Sequence, residues 1–248
     1  QLLERIVQMR TEPGGDVLDD ARLAVILKAM LVHGASWGAW PDFIEQVFDD
    51  TDNGMERWWR NKRNCARFLG YGPADFERGT VCNDQRVIML GCGELNANEG
   101  HVYQVPLPPA LHAQTVKRRL TITLTWLSPM NPRHRSYRVA DLWFDPPGNY
   151  LHVRRTDADH DAVKRGTVQH EVLEGDAAVA INDGDTMPVQ VNCRPDGATK
   201  LTVSVPYALM VSIETARPLA VSVYDQVKVA LDRLREPARV RPAVRTGR

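Results

Sequence analysis

Apolar and polar residues alternate along this chain with two different periods. From Gln1 to about Arg78 the apolar positions recur at helical spacing. Leu2, Leu3, Ile6 and Val7 form a first stripe, and Leu23, Ile26, Leu27, Met30 and Leu31 a second, broader one. Between them Thr11–Asp16, with Pro13-Gly14-Gly15, reads as a loop; Asp19 or Asp20 can cap the second helix, which stops at Gly34. Pro41–Phe48 predicts a short helix that begins on its proline. Asn53–Leu69 predicts a longer helix, with Met55, Trp58, Trp59 and Phe68 to bury, and Pro73–Arg78 a last turn.

Beyond Thr80 the period becomes two. Arg86–Leu90, His101–Leu107, Arg119–Trp126, Arg138–Phe144, Tyr150–Arg154, Thr167–Val172, Val189–Cys193, Leu201–Val205 and Tyr207–Glu214 all read as strands. They are separated by Pro129, Asn131-Pro132, Pro146-Pro147-Gly148, Asn182-Asp183-Gly184-Asp185 and Pro195-Asp196-Gly197. Leu219–Val223 fits one further strand, Tyr224–Leu234 reads as a helix, and Glu236–Arg248 has a Pro- and Arg-rich composition that predicts disorder. The predicted class is α+β: a helical segment over 1–80, an antiparallel β-sandwich of jelly-roll kind over 81–225, and a helix with a basic tail over 226–248.

Composition narrows the function classes. Lys plus Arg and Asp plus Glu are both 31 in 248 residues, so no global field favours nucleic acid or an anionic membrane. The longest apolar run, Leu23–Val32, is interrupted by Lys28 and too short for a bilayer. Cys65, Cys82, Cys92 and Cys193 include no C-x-x-C pair, so buried thiols, and with them a cytoplasmic setting, are expected. The first residue is Gln1 rather than Met, which predicts a processed or trimmed chain.

Two stretches in the helical segment carry a resemblance: Leu27-Lys28-Ala29-Met30-Leu31-Val32-His33-Gly34-Ala35 and Gly70-Tyr71-Gly72-Pro73-Ala74-Asp75-Phe76-Glu77-Arg78. Together they resemble the closing segment of the subtilisin-like serine proteases, the subtilases. Three stretches in the strand-rich part, Thr125–Arg138, Gly166–Gly175 and Val189–Arg194, look like the β-domain appended to a group of bacterial subtilases. The resemblance spans roughly Ala21 to Val227. It implies that residues 1–80 complete a protease domain and that the missing amino-terminal catalytic half is the chain's partner, with protein or peptide as substrate. The family's Asp-Thr/Ser-Gly, His-Gly-Thr and Gly-Thr-Ser motifs do not occur here, so no catalytic residue carries over and the chain is expected to be inactive alone.

Other chemistry is suggested more weakly. Gly34-Ala35-Ser36-Trp37-Gly38 matches the G-x-S-x-G elbow of α/β hydrolases, but that elbow needs a strand before it and a parallel sheet, and a helix precedes it here. His33 reads as a helix-end device. His101, His112, His134, His152, His160 and His170 contain no i, i+4 pair, which leaves zinc little support. Asp157-Ala158-Asp159-His160-Asp161 and Asn182-Asp183-Gly184-Asp185 offer clustered oxygens of the sort calcium takes, without EF-hand spacing. Lys117-Arg118-Arg119, Arg133-His134-Arg135 with Arg138, and the arginines of the tail read as solvated faces. Tyr137, Trp126 and Trp143 are of a type that stacks on sugars or bases, and Trp58-Trp59 suits a core or an interface with the missing half. No catalytic, cofactor-binding or metal-ligating residue is assigned, and no cofactor is predicted. A stand-alone β-sandwich module for peptide or glycan is the competing function. A third possibility is a processed fragment that stays associated with its catalytic half; loss of that partner should leave an apolar face on helix Asp20–His33 exposed or covered by self-association.

Overall fold

The computed structural model describes residues 2–12, 15–47, 55–133, 137–157, 166–196 and 200–235. Five helices come first: α1 (Leu2–Arg10), α2 (Leu23–His33), α3 (Trp40–Val47), α4 (Met55–Leu69) and α5 (Phe76–Thr80). Asp19 starts the second helix by accepting from the Arg22 N–H, through a short 3-10 turn at Asp20–Arg22 that leads into α2. Eight strands follow: β1 (Arg86–Leu95), β2 (Gly100–Pro106), β3 (Arg118–Trp126), β4 (Ala140–Trp143), β5 (Arg154–Asp157), β6 (Val168–Gly175), β7 (Thr186–Pro195) and β8 (Val205–Thr215). Helix α6 (Val223–Arg235) closes the described chain. Among the described residues no helix is long and apolar enough to cross a membrane.

The strands form two antiparallel sheets, of order β1-β8-β3-β6-β5 and β2-β7-β4. Alternation along β3 explains how they are stacked. Leu120, Ile122, Leu124 and Trp126 point to one side and join a single apolar core with Val189, Val191 and Cys193 of β7, Leu142 of β4 and Val105 of β2. Thr121, Thr123 and Thr125 point to the other side, and all three are buried too. Helix α2 lies there: its Val25, Ile26, Ala29 and Met30 pack with Ile6 of α1 and with Ala208 and Met210 of β8. The class is therefore α+β, with helices on one face of the larger sheet.

Several predicted boundaries move. Tyr150–Arg154 was expected to be extended, but Gly148–Leu151 is a 3-10 turn, His152 is left-handed at φ 48°, and the strand begins at Arg154. Leu201–Ser204 adds no strand, and β8 runs unbroken through Pro206. Residues 219–222 are not extended, so the chain enters α6 directly. The side chains of Trp58 and Trp59, His134 and Arg135, residues 158–161 and the tail from Glu236 lie outside the described residues.

Candidate functional site

The two helical stretches 27–35 and 70–78, separated by 34 residues that include α3 and α4, meet in space. Gly34 ends α2, and a β-bridge pairs Ala35 with Ala74. The Ser36 N–H donates to the Pro73 carbonyl and the Asp75 N–H to the Gly34 carbonyl. Glycine is required at this crossing. A Cβ on Gly34 would stand 2.2 Å from the Asp75 carbonyl oxygen, and one on Gly72, held at φ 90°, 2.2 Å from that of Ser36. Asp75 then caps α5 by accepting from the Arg78 N–H.

Beneath this crossing lies a buried polar seam. The His33 ring, at the end of α2, places Nδ1 2.9 Å from Thr123 Oγ1 on β3. Thr123 Oγ1 is also 2.8 Å from His170 Nδ1 on β6. One hydroxyl thus bridges two imidazoles from two different layers, and both rings are buried. Tyr71, from the Gly70-Tyr71-Gly72 turn, meets the His170 ring edge-on at 6.0 Å. Burial drives both rings toward the neutral form: the His33 pKa falls to about 3, with His170, Arg119 and Arg86 adding repulsion, and that of His170 to about 4, with Arg119 adding to it. The Ala35 backbone favours a proton on His170, at a geometry short of a full hydrogen bond.

Ser36 sits at the same seam, 7% exposed. Its Oγ accepts from Arg119 Nη2 at 2.7 Å and from the Gly38 N–H at 3.3 Å. A guanidinium only donates, so Arg119 is not the base that a serine nucleophile needs. The residue before the motif belongs to α2, the following helix starts at Trp40, and every described strand pair is antiparallel. Ser36 is a buried strut between helix end and sheet. Toward the Trp126 end of β3, Lys28 Nζ donates to the Thr167 carbonyl at 3.0 Å and to Thr167 Oγ1 at 2.5 Å, and Thr125 Oγ1 donates to the Val25 carbonyl. Its burial lowers the Lys28 pKa.

Other predicted residues fall elsewhere. Arg118 is not solvated: it is 1% exposed and donates to the carbonyls of Leu151 and Ala177, because it is the side chain that fills the carbonyl-lined end of β3. Arg138, also read as part of a solvated face, has a side chain only 14% exposed and pairs with Asp196 and Asp141. Trp126 is fully buried in the core, whereas Trp143 carries the Arg194 guanidinium 4.9 Å from its ring. Asp185 accepts from the Asn182 N–H and side-chain amide within their own turn, and no group of three or more potential metal ligands occurs among the described residues. The four thiols are unbridged.

The least expected surface is apolar. Along α3, Trp40, Phe43 and Val47 are 51%, 55% and 58% exposed, at spacings that place them on one stripe, while Ile44 turns inward. Trp40 and Phe43 contact edge to face at 5.9 Å. Leu3 and Val7 repeat this on α1, and Phe68 on α4 is more than half exposed. On α2 the exposure is limited to Leu31 among its large apolar residues; Leu23 and Leu27 are partly covered.

No family model and no curated protein matches this chain. Among solved structures it is similar to a chain from the structure of black queen cell virus, with 10% identity over 58% of this chain and 73% of that one. The TM-score of that likeness is 0.19, which carries no argument about fold or function.

Proposed function

We propose that this chain is the non-catalytic carboxy-terminal part of a subtilisin-like serine endopeptidase. In this reading the helices complete the protease domain. The two sheets around one core form a β-sandwich of jelly-roll kind, which buttresses that domain or brings substrate to it. The parent would cleave peptide bonds with a serine, histidine and aspartate from the amino-terminal half. The observation that carries the proposal is the exposed Trp40-Phe43-Val47 ridge on α3. An apolar stripe of this length on a helix is normally covered, and the catalytic half is the cover the motifs imply. Four unbridged thiols suit a reducing, cytoplasmic setting.

The test is chemical. The chain should hydrolyse no peptide or ester and take no label from a serine-directed fluorophosphonate, and Ser36→Ala should change neither result. Hydrolysis that disappears in Ser36→Ala would overturn the proposal. A second reading, a stand-alone module for peptide or glycan, is favoured by the β3–β4 connection, where Met130 is 81% and Tyr137 60% exposed. Binding on a peptide or glycan array that is lost in Tyr137→Ala would favour it.

A further inference from the structure

The His33–Thr123–His170 bridge has a proton inventory that fixes its charge state. A threonine hydroxyl has one hydrogen: it can donate to one Nδ1 and accept from the other ring's Nδ1–H. The first ring then carries its own hydrogen on Nε2, and the second has a lone pair there. Both Nε2 atoms are buried with no hydrogen-bond partner among the described residues. Adding a proton to either ring therefore creates a buried cation, offset only on His170, where the Ala35 backbone lies at a geometry short of a full hydrogen bond.

The charged groups around the bridge make that cation costlier. Arg119 on β3 acts on both rings, and Arg86 on β1 acts on His33. Glu174 on β6 stands 3.7 Å from Arg119 Nε, and Glu214 on β8 3.7 Å from Arg86 Nη1, so these carboxylates face the arginines. On the α5 side, the Asp75 carboxylate is engaged by its own helix turn, and the Glu77 carbonyl accepts from Arg86. Glu171 on β6 pairs with Arg155 at 2.6 Å.

We propose that the His33–Thr123–His170 bridge is an acid-released latch that holds the helical layer on the five-stranded sheet. The bridge links the end of α2 to two strands of the sheet, beside the Ser36–Arg119 contact, whereas the apolar core between the sheets contains no residue of α1 to α5. Acid therefore acts on the helical layer first. The sign follows from the two depressed pKa values, about 3 and about 4 against 6.5 for a free ring. The stability that the neutral pair contributes is complete above pH 6.5 and is lost as pH falls below it. Glu171, with its pKa pushed up to about 6, works in the opposite sense: its contribution is held at low pH and lost above 6. A comparison of variants that all retain Glu171 removes it from the result. The latch depends on contacts within this chain and stands whether or not the protease reading does.

The experiment is hydrogen exchange on the intact chain at pH 7 and pH 4.5, corrected for intrinsic rates, beside the same measurement on His33→Asn/His170→Asn. In the wild type, protection of Val25–His33 should fall by roughly tenfold or more on acidification while β8 keeps its protection. In the double variant the acid-dependent loss should disappear. A double variant with the wild-type pH response, or helix and sheet losing protection together, would overturn the latch. A second measurement does not depend on the variant folding: NMR titration of the wild-type rings. Both should stay neutral to below pH 5, one as the Nδ1–H and one as the Nε2–H tautomer. Either ring titrating near 6.5 in the folded protein would also sink the proposal.

Discussion

The two faces of the five-stranded sheet are held by different forces. On one, Leu120, Ile122, Leu124 and Trp126 of β3 meet Val189, Val191 and Cys193 of the smaller sheet, and attachment is almost wholly apolar. On the other, the alternate residues Thr121, Thr123 and Thr125 meet α2, and hydroxyls, imidazoles, an ammonium and a guanidinium share the contact with a smaller apolar cluster. Apolar burial is strong and non-directional; a buried polar network is specific, but costly when any one partner is lost or charged. One strand thus carries a robust face and a conditional one.

The contrast can be broken at four places, in falling order of effect. Trp126→Ala removes the largest fully buried side chain of the robust face, and should cost about 3–5 kcal/mol, read as a lower urea midpoint for the whole chain. Thr123→Val keeps shape but strips the bridging hydroxyl from two buried rings. It should cost about 1–3 kcal/mol, and the loss of amide protection should be confined to the helical layer. Lys28→Met removes the pin from α2 to the Thr167 carbonyl while leaving a side chain that still packs; about 1 kcal/mol is expected in the same urea titration. Trp40→Lys with Phe43→Glu alters the exposed ridge, and should leave stability within about 0.5 kcal/mol while reducing self-association in sedimentation.

The fold was largely legible because its two periods are. The apolar stripe of α2 and the alternation of β3 both survive in the structure. Where reading failed, packing had overridden local pattern. Leu151 and Val153 look like alternate residues of a strand, yet they are buried from a 3-10 turn and the link after it. Pro206 looks like a strand break, but it is the second residue of β8, where a missing N–H is tolerated. The polar seam was illegible: His33, Thr123 and His170 are separated by 90 and 47 residues, and no spacing rule joins them. A weak signal did exist, since three threonines alternate with apolar residues on a strand that proved buried on both sides. Arg118 gave none, because a buried arginine satisfied by carbonyls has the same sequence as a solvated one. The α3 ridge is half visible: Pro41–Phe48 predicts a helix, but not the stripe that it leaves uncovered.

That ridge offers the most direct measurement. Hydroxyl-radical footprinting should be run on this chain alone and on the polypeptide expressed from its gene with whatever precedes residue 1. If the helical layer completes a protease domain, Trp40 and Phe43 are strongly oxidised in the chain alone and protected in the longer polypeptide. Equal oxidation in the two would contradict it.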